Sequence, residues 1–150
     1  MNAEKRRFKH KDLTEAILGV FFEVYKELGH GFLESVYENA MCLALESKGM
    51  SIARQIAVPV WFRGTQVGNF FADLLVEEKV LVELKAVRLL DLAHEAQVLN
   101  YLRATGIEVG MLLNFGLKVQ YKRFAYDNER KSFSYNAPLT SASLTSGNKE

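Results

Sequence analysis

The sequence predicts an α/β fold: a mixed sheet, made of a three-strand antiparallel meander plus a parallel strand, flanked by helices. Three observations predict it. Two segments with helical apolar spacing come first, followed by three β-rich segments separated by short polar turns. A helical segment then leads into a wholly apolar strand, and such a long connection makes that strand parallel to the one before it. At 150 residues the chain fits one domain and can bury roughly two thirds of the surface its unfolded form exposes.

The elements follow in order. Residues 1–11 carry Lys5, Arg6, Arg7, Lys9 and Lys11 and read as a basic polar arm ahead of a domain at 12–135. A helix is expected over 13–28, with Asp12 and Glu15 as a capping box and Leu13, Ile17, Val20, Phe21, Val24 and Leu28 on one face. Gly29 ends it. A second helix covers 33–48 and stops at Gly49. Strands are expected at 56–62, 67–76 and 80–87, the first an edge strand because of Pro59, with turns at Arg63-Gly64-Thr65 and Glu77-Glu78-Lys79. A third helix at 92–103 precedes strands at 109–115 and 118–126. Residues 136–150 are rich in Ser, Thr, Ala, Asn and Gly and predict a disordered tail.

Composition excludes several classes of function. Nineteen basic against eighteen acidic residues leave a net charge of +1, which argues against a strongly basic chromatin-type binder but leaves room for an enzyme with a local basic patch. Cys42 is the single cysteine. No disulfide within the chain and no cysteine-rich zinc site can form, which suits a reducing, cytoplasmic setting. No stretch approaches the roughly 18 apolar residues that span a bilayer, so no membrane partner is expected. The first dozen residues lack the apolar region of a secretory signal.

The chemistry concentrates between Phe70 and Ala86. In a hairpin centred on Glu78, Asp73 lies opposite Glu83 and Phe71 opposite Lys85, so Asp73, Glu83 and Lys85 share one face. The other face carries Phe70, Ala72, Leu74, Val76, Val80, Val82, Leu84 and Ala86, all apolar. A register slip of one residue would separate the acids. Two desolvated carboxylates side by side repel, and a divalent cation between them would compensate. The plainer alternative is a cross-strand salt-bridge trio on a solvated face.

Asp73, nine residues and then Glu83-Leu84-Lys85 resembles the active-site signature of the PD-(D/E)xK nuclease superfamily, and the element order resembles that superfamily's core. Ala72 stands where the name has proline. Gly31-Phe32-Leu33-Glu34-Ser35-Val36-Tyr37 resembles the motif of the GxxExxY protein family within it. The likeness runs nearly throughout from His30 to Arg123, including Gln97-Val98-Leu99-Asn100-Tyr101 and Leu113-Asn114-Phe115-Gly116.

The resemblance implies roles. Asp73 and Glu83 would hold Mg²⁺ or Mn²⁺ together with the carbonyl of Leu84, and Lys85 would orient the attacking water. Glu34 would reach the metal directly or through water; the alternative is a carboxylate stabilising its helix N-terminus. Gln97 and Tyr101 share a helix face and resemble the Q-x-x-x-Y element of the exonuclease branch, with core packing as the alternative for Tyr101. His94 lies one turn earlier and reads more readily as a surface histidine. Tyr37 would brace Glu34 or simply fill the core. Arg88, Lys118, Lys122 and Arg123 are the candidate phosphate contacts, interleaved with Tyr121, Phe124 and Tyr126; the alternative is a solvated strand face.

The function so implied is a metal-dependent nuclease acting on DNA before RNA. Its rivals are a nucleic-acid- or protein-binding module that keeps the nuclease fold, and a structural protein with a salt-bridge network. The short chain also leaves room for a homodimer or an accessory protein partner.

Overall fold

Strand alternation divides the apolar residues of the chain into two cores, one on each side of a single sheet. The structure is a computed structural model that describes residues 9–131. The arm up to residue 8, the end of the expected domain (132–135) and the expected tail (136–150) lie outside the described residues. Two helices come first, α1 (Lys11–Leu28) and α2 (Glu34–Ser47). The meander follows as β1 (Ile52–Phe62), β2 (Thr65–Val76) and β3 (Val80–Lys85). Then come α3 (Leu92–Ala104), β4 (Val109–Phe115), β5 (Val119–Ala125) and a 3₁₀ turn at Asn128–Arg130. Strand order is β1-β2-β3-β4-β5. Every neighbour is antiparallel except β3 and β4, which α3 connects in parallel. The expected α/β architecture and the edge position of β1 are both present.

The first core joins α1 and α2 to the sheet through Ile17, Val20, Phe21, Tyr37, Met41 and Leu45. Each fully buried side chain of this kind contributes roughly 1.5–3 kcal/mol. Aromatic contacts fix the seating: Tyr37 stacks on Phe115 at 4.2 Å, and Phe21 meets Phe115 edge-on at 4.8 Å. The second core lies under α3 and gathers Ile56, Val58, Leu81, Leu102, Leu112 and Phe124. Asp91 starts α3 by accepting from the His94 N–H at 3.1 Å, while His94 Nδ1 accepts from the Asp91 N–H at 3.0 Å.

Local chemistry overrides the sequence reading in four places. Asp12 and Glu15 form no capping box; α1 begins at Lys11 after a left-handed His10, with φ of 55°, and has no side-chain cap. Strand β1 starts at Ile52 rather than 56, because β2 supplies partners for Ile52, Ala53 and Arg54. Strand β3 ends at Lys85 rather than 87: the Asn114 side chain accepts from the Val87 N–H and donates to the Val87 carbonyl, taking both groups out of the ladder. Finally, the uniform apolar face expected for Phe70 to Ala86 is broken at Asp73. Leu74 and Val76 pack in the first core, whereas Ala72 belongs to the second and Phe70 meets Tyr101 on the α3 side. Gln55 across from it takes a left-handed φ of 50°, and the β1–β2 ladder skips this position before resuming at Ile56 and Ala72.

Candidate functional site

Asp73 sits at two faults in the sheet. On one side is the skipped rung with β1; on the other, the β2–β3 ladder stops after Val76–Val80, Leu75–Leu81 and Leu74–Val82. That register is the one expected from a turn centred on Glu78. Beyond it, side chains replace main-chain acceptors. The Asp73 N–H donates to Glu83 Oε1 at 2.8 Å, and the Leu84 N–H donates to Asp73 Oδ2 at 2.8 Å. Each carboxylate thus spends one oxygen on the backbone and keeps one for the site. Asp73 Oδ1 lies 3.5 Å from Gln55 Nε2, and Glu83 Oε2 lies 4.0 Å from Lys85 Nζ. Glu83 is 3% exposed, so its charge is taken almost wholly out of water.

Helix α2 brings two more carboxylates toward this pair. Glu34 opens the helix and is exposed; Glu38 follows one turn later on the same face. Glu38 accepts from Gln55 Nε2 and from Arg54 Nη2, both at 2.7 Å. From α3, Gln97 Nε2 donates to the Tyr101 hydroxyl at 2.9 Å.

The electrostatics follow from burial. Burial pushes Glu83 well above the ordinary carboxylate range, and the neighbouring charge of Asp73 pushes it further. Asp73 is raised as well, first by burial; the Leu84 N–H opposes this, Glu38 and Glu34 add to it, and Lys85 opposes it. The Tyr101 hydroxyl rises to about 12, through burial and then the Glu83 charge. Two such carboxylates need a proton or a cation between them. Among the described residues no group of three or more His, Cys, Asp or Glu side chains forms a metal site on its own. The two-carboxylate donor set does fit Mg²⁺, which keeps several waters and is commonly held by one or two carboxylates.

Of the residues singled out in the sequence, Asp73, Glu83, Leu84 and Lys85 therefore come together, with Glu34 and Tyr101 within electrostatic reach and Gln97 on Tyr101. Tyr37 braces the loop ahead of α2 rather than Glu34: its hydroxyl donates to the Gly29 carbonyl at 2.6 Å and accepts from the Phe32 N–H at 3.2 Å. His94 is committed to the cap of α3. The four basic residues do not form one patch. Lys122 pairs with Glu95 on α3, while its neighbour Arg123 donates to the Lys9 carbonyl, because adjacent strand residues face opposite ways. Tyr121 meets Phe22 edge-on at 5.7 Å and Phe124 is buried, so the aromatics disperse too. Arg88 and Lys118 remain exposed, in the segments that follow β3 and β4.

Sequence reasoning missed Glu38, Gln55 and Asn114. A signal existed for Glu38, which lies four residues after Glu34 on a predicted helix. None existed for Gln55, whose role depends on a left-handed backbone that favours glycine. Asn114 falls within the Leu113-Asn114-Phe115-Gly116 segment, where nothing in the sequence sets it apart from its neighbours.

Comparison with known proteins adds the following. Residues 11–124 match the family model described as the PD-(D/E)XK nuclease superfamily. A search among curated proteins finds no match. Among solved structures, one titled "Crystal structure of SSO0001" is 17% identical, with the alignment covering 95% of this chain and 67% of that one at a TM-score of 0.49.

Proposed function

Since the chain belongs to the PD-(D/E)XK nuclease superfamily, we propose that it is a divalent-metal-dependent nuclease that hydrolyses phosphodiester bonds of DNA. The narrower GxxExxY assignment, on Gly31 to Tyr37, belongs to the same proposal. The observation that carries the reading is the buried Asp73–Glu83 pair at the splayed ends of β2 and β3, with Lys85 beside it.

In this reading Asp73, Glu83 and the Leu84 carbonyl hold Mg²⁺ or Mn²⁺, and Glu34 acts through water. When bound, the ion supplies Lewis-acid polarisation of a phosphoryl oxygen and lowers the pKa of a water. The Lys85 ammonium donates to the attacking water or the scissile phosphate, which fixes the line of attack and offsets developing negative charge. Gln97 and Tyr101 present a paired amide and hydroxyl toward the substrate phosphate. Arg88 and Lys118, exposed in the segments that follow β3 and β4, are retained as phosphate contacts. The buried Cys42 suits the cytoplasmic setting proposed with it, and among the described residues no helix is long and apolar enough to cross a membrane.

One observation favours a second reading. Both carboxylates also accept main-chain N–H groups that close the sheet, a task that a non-catalytic nucleic-acid- or protein-binding module would still need.

The test is cleavage of labelled single- and double-stranded DNA in Mg²⁺, Mn²⁺ or EDTA beside purified Lys85→Ala. Metal-dependent cleavage that falls at least about 100-fold in the variant supports the nuclease. Cleavage that survives both Lys85→Ala and Glu83→Ala refutes the assigned site. No cleavage in any metal, by a protein that folds, favours the binding module.

A further inference from the structure

A cleft of about 910 Å³ runs between the β1–β2 hairpin and α3, and the Gln97–Tyr101 pair forms part of its wall. Tyr101 is the residue common to this wall and to the surroundings of the acidic pair, whose charge acts on its hydroxyl. Its size is at the upper end of ligand pockets, roughly 300–1,000 Å³.

The walls have an unusual chemistry. Trp61 and Phe70 stand on the hairpin side, 37% and 51% exposed, and Tyr101 and Tyr126 face them from the other elements. Pro59, Val60 and Trp61 line the cleft as three consecutive residues of the edge strand β1. The β1–β2 register shifts beside this stretch, between Val60 and Trp61, with Val67 as the extra residue on β2. Phe70 lies 6.4 Å from the Tyr101 ring, so one aromatic surface leads from the hairpin to the site. The charge has one sign. Arg103 projects from the last turn of α3, and Arg130 lies over the Tyr126 ring at 4.8 Å. No Asp or Glu is among the lining residues.

Aromatic faces flanked by guanidinium groups, with no carboxylate, match one chemistry: bases to stack and phosphates to pair. In a duplex the base faces are covered by their neighbours in the stack, so only an unpaired strand offers them. We infer that this cleft receives a single-stranded polynucleotide and leads it to the Asp73–Glu83 site. The inference rests on the nuclease reading for the reaction at the end of the path, while the binding itself needs no metal.

Trp61 is the single tryptophan of the chain and lines the cleft, so its fluorescence supplies the probe. The full-length protein in EDTA is titrated with oligo-dT and oligo-U of about ten nucleotides and with a blunt, fully paired hairpin. Saturable quenching by a single strand is expected, with the paired hairpin at least tenfold weaker; the ratio of dT to U affinity separates DNA from RNA. Phe70→Ala should weaken strand binding by about 5- to 100-fold, the loss of one base–aromatic stack. Arg103→Glu, on the opposite wall, should weaken it and flatten its salt dependence.

Equal binding of the paired hairpin overturns the inference, as does strand binding that neither substitution changes. A Trp61 shielded from acrylamide in the free protein also overturns it, since the cleft is then filled by another part of the chain or a second copy. Cleavage assayed in parallel separates the two claims. Cleavage without any Trp61 response refutes the cleft and leaves the nuclease standing. Strand binding without metal-dependent cleavage does the reverse.

Discussion

Replacing Glu83 by Gln should make the metal-free protein more stable. Gln keeps the Oε1 acceptor for the Asp73 N–H and removes one charge from a buried pair. Burial and Asp73 raise the Glu83 pKa from 4.5 to about 8. Between those values the native protein holds a proton that the unfolded chain has released, so stability falls as pH rises through that window. Each pH unit costs about 1.4 kcal/mol, which sets a ceiling of about 4 kcal/mol near pH 7.5. Taking half of that for relaxation of the pair leaves about 2 kcal/mol, or a Tm higher by about 4–8 °C for a domain of this size. The pH profile carries a sharper signature. With the Glu83 carboxyl gone, only Asp73, whose pKa burial also raises, accounts for any fall that remains, so the variant's curve levels off at a lower pH than that of wild type. Mg²⁺ at ten times its Kd adds about 1.4 kcal/mol to wild type and far less to Glu83→Gln. Thermal unfolding followed by circular dichroism, in EDTA from pH 5 to 8.5 and then with Mg²⁺, reads all three. A variant that melts at or below wild type near pH 7.5 in EDTA, or parallel pH curves, would refute the reasoning, because the pair would then be compensated within the protein.

Other residues give independent predictions. Asn114→Ala strips the Val87 N–H and carbonyl of their partner and should cost about 2–3 kcal/mol in urea unfolding; it should also lower kcat, since the freed segment adjoins Lys85. Gly116→Ala places a Cβ 2.1 Å from the Val87 carbonyl oxygen, so a loss of at least about 2 kcal/mol is expected in the same assay. Tyr37→Phe removes two hydrogen bonds to the Gly29–Phe32 loop. It should cost about 1–2 kcal/mol and make that loop a site of limited proteolysis; an unchanged digestion pattern would show that ring packing alone holds it.

Much of the framework was legible because it rests on short-range rules. The turn at Glu77-Glu78 and the apolar run around it fix the β2–β3 register, and the long helical connection fixes the parallel pairing of β3 with β4. The juxtaposition of Asp73 with Glu83 follows from that register alone. What escaped depends on partners distant in sequence. Ile52 to Arg54 have no strand pattern of their own and are strand because β2 lies beside them. The change of face at Asp73 needs a left-handed Gln55, which no composition rule anticipates. Lys122 and Arg123 read as one basic cluster on paper, yet Glu95 and the Lys9 carbonyl draw them to opposite sides. Glu38 escaped for a different reason: its two partners, Arg54 and Gln55, lie in the part of β1 that was not anticipated.

The carboxylates that close the ladder at Asp73 and Leu84 turn two backbone amides into built-in reporters. Their N–H groups point at the oxygens whose charge changes whenever the pair gains or loses a proton or takes up a cation. In an amide NMR spectrum those two resonances should move with pH and with added Mg²⁺, while Leu75 and Leu81, paired with each other two rungs away, stay still. Occupancy of the site can thus be followed without substrate, probe or label on the reacting groups.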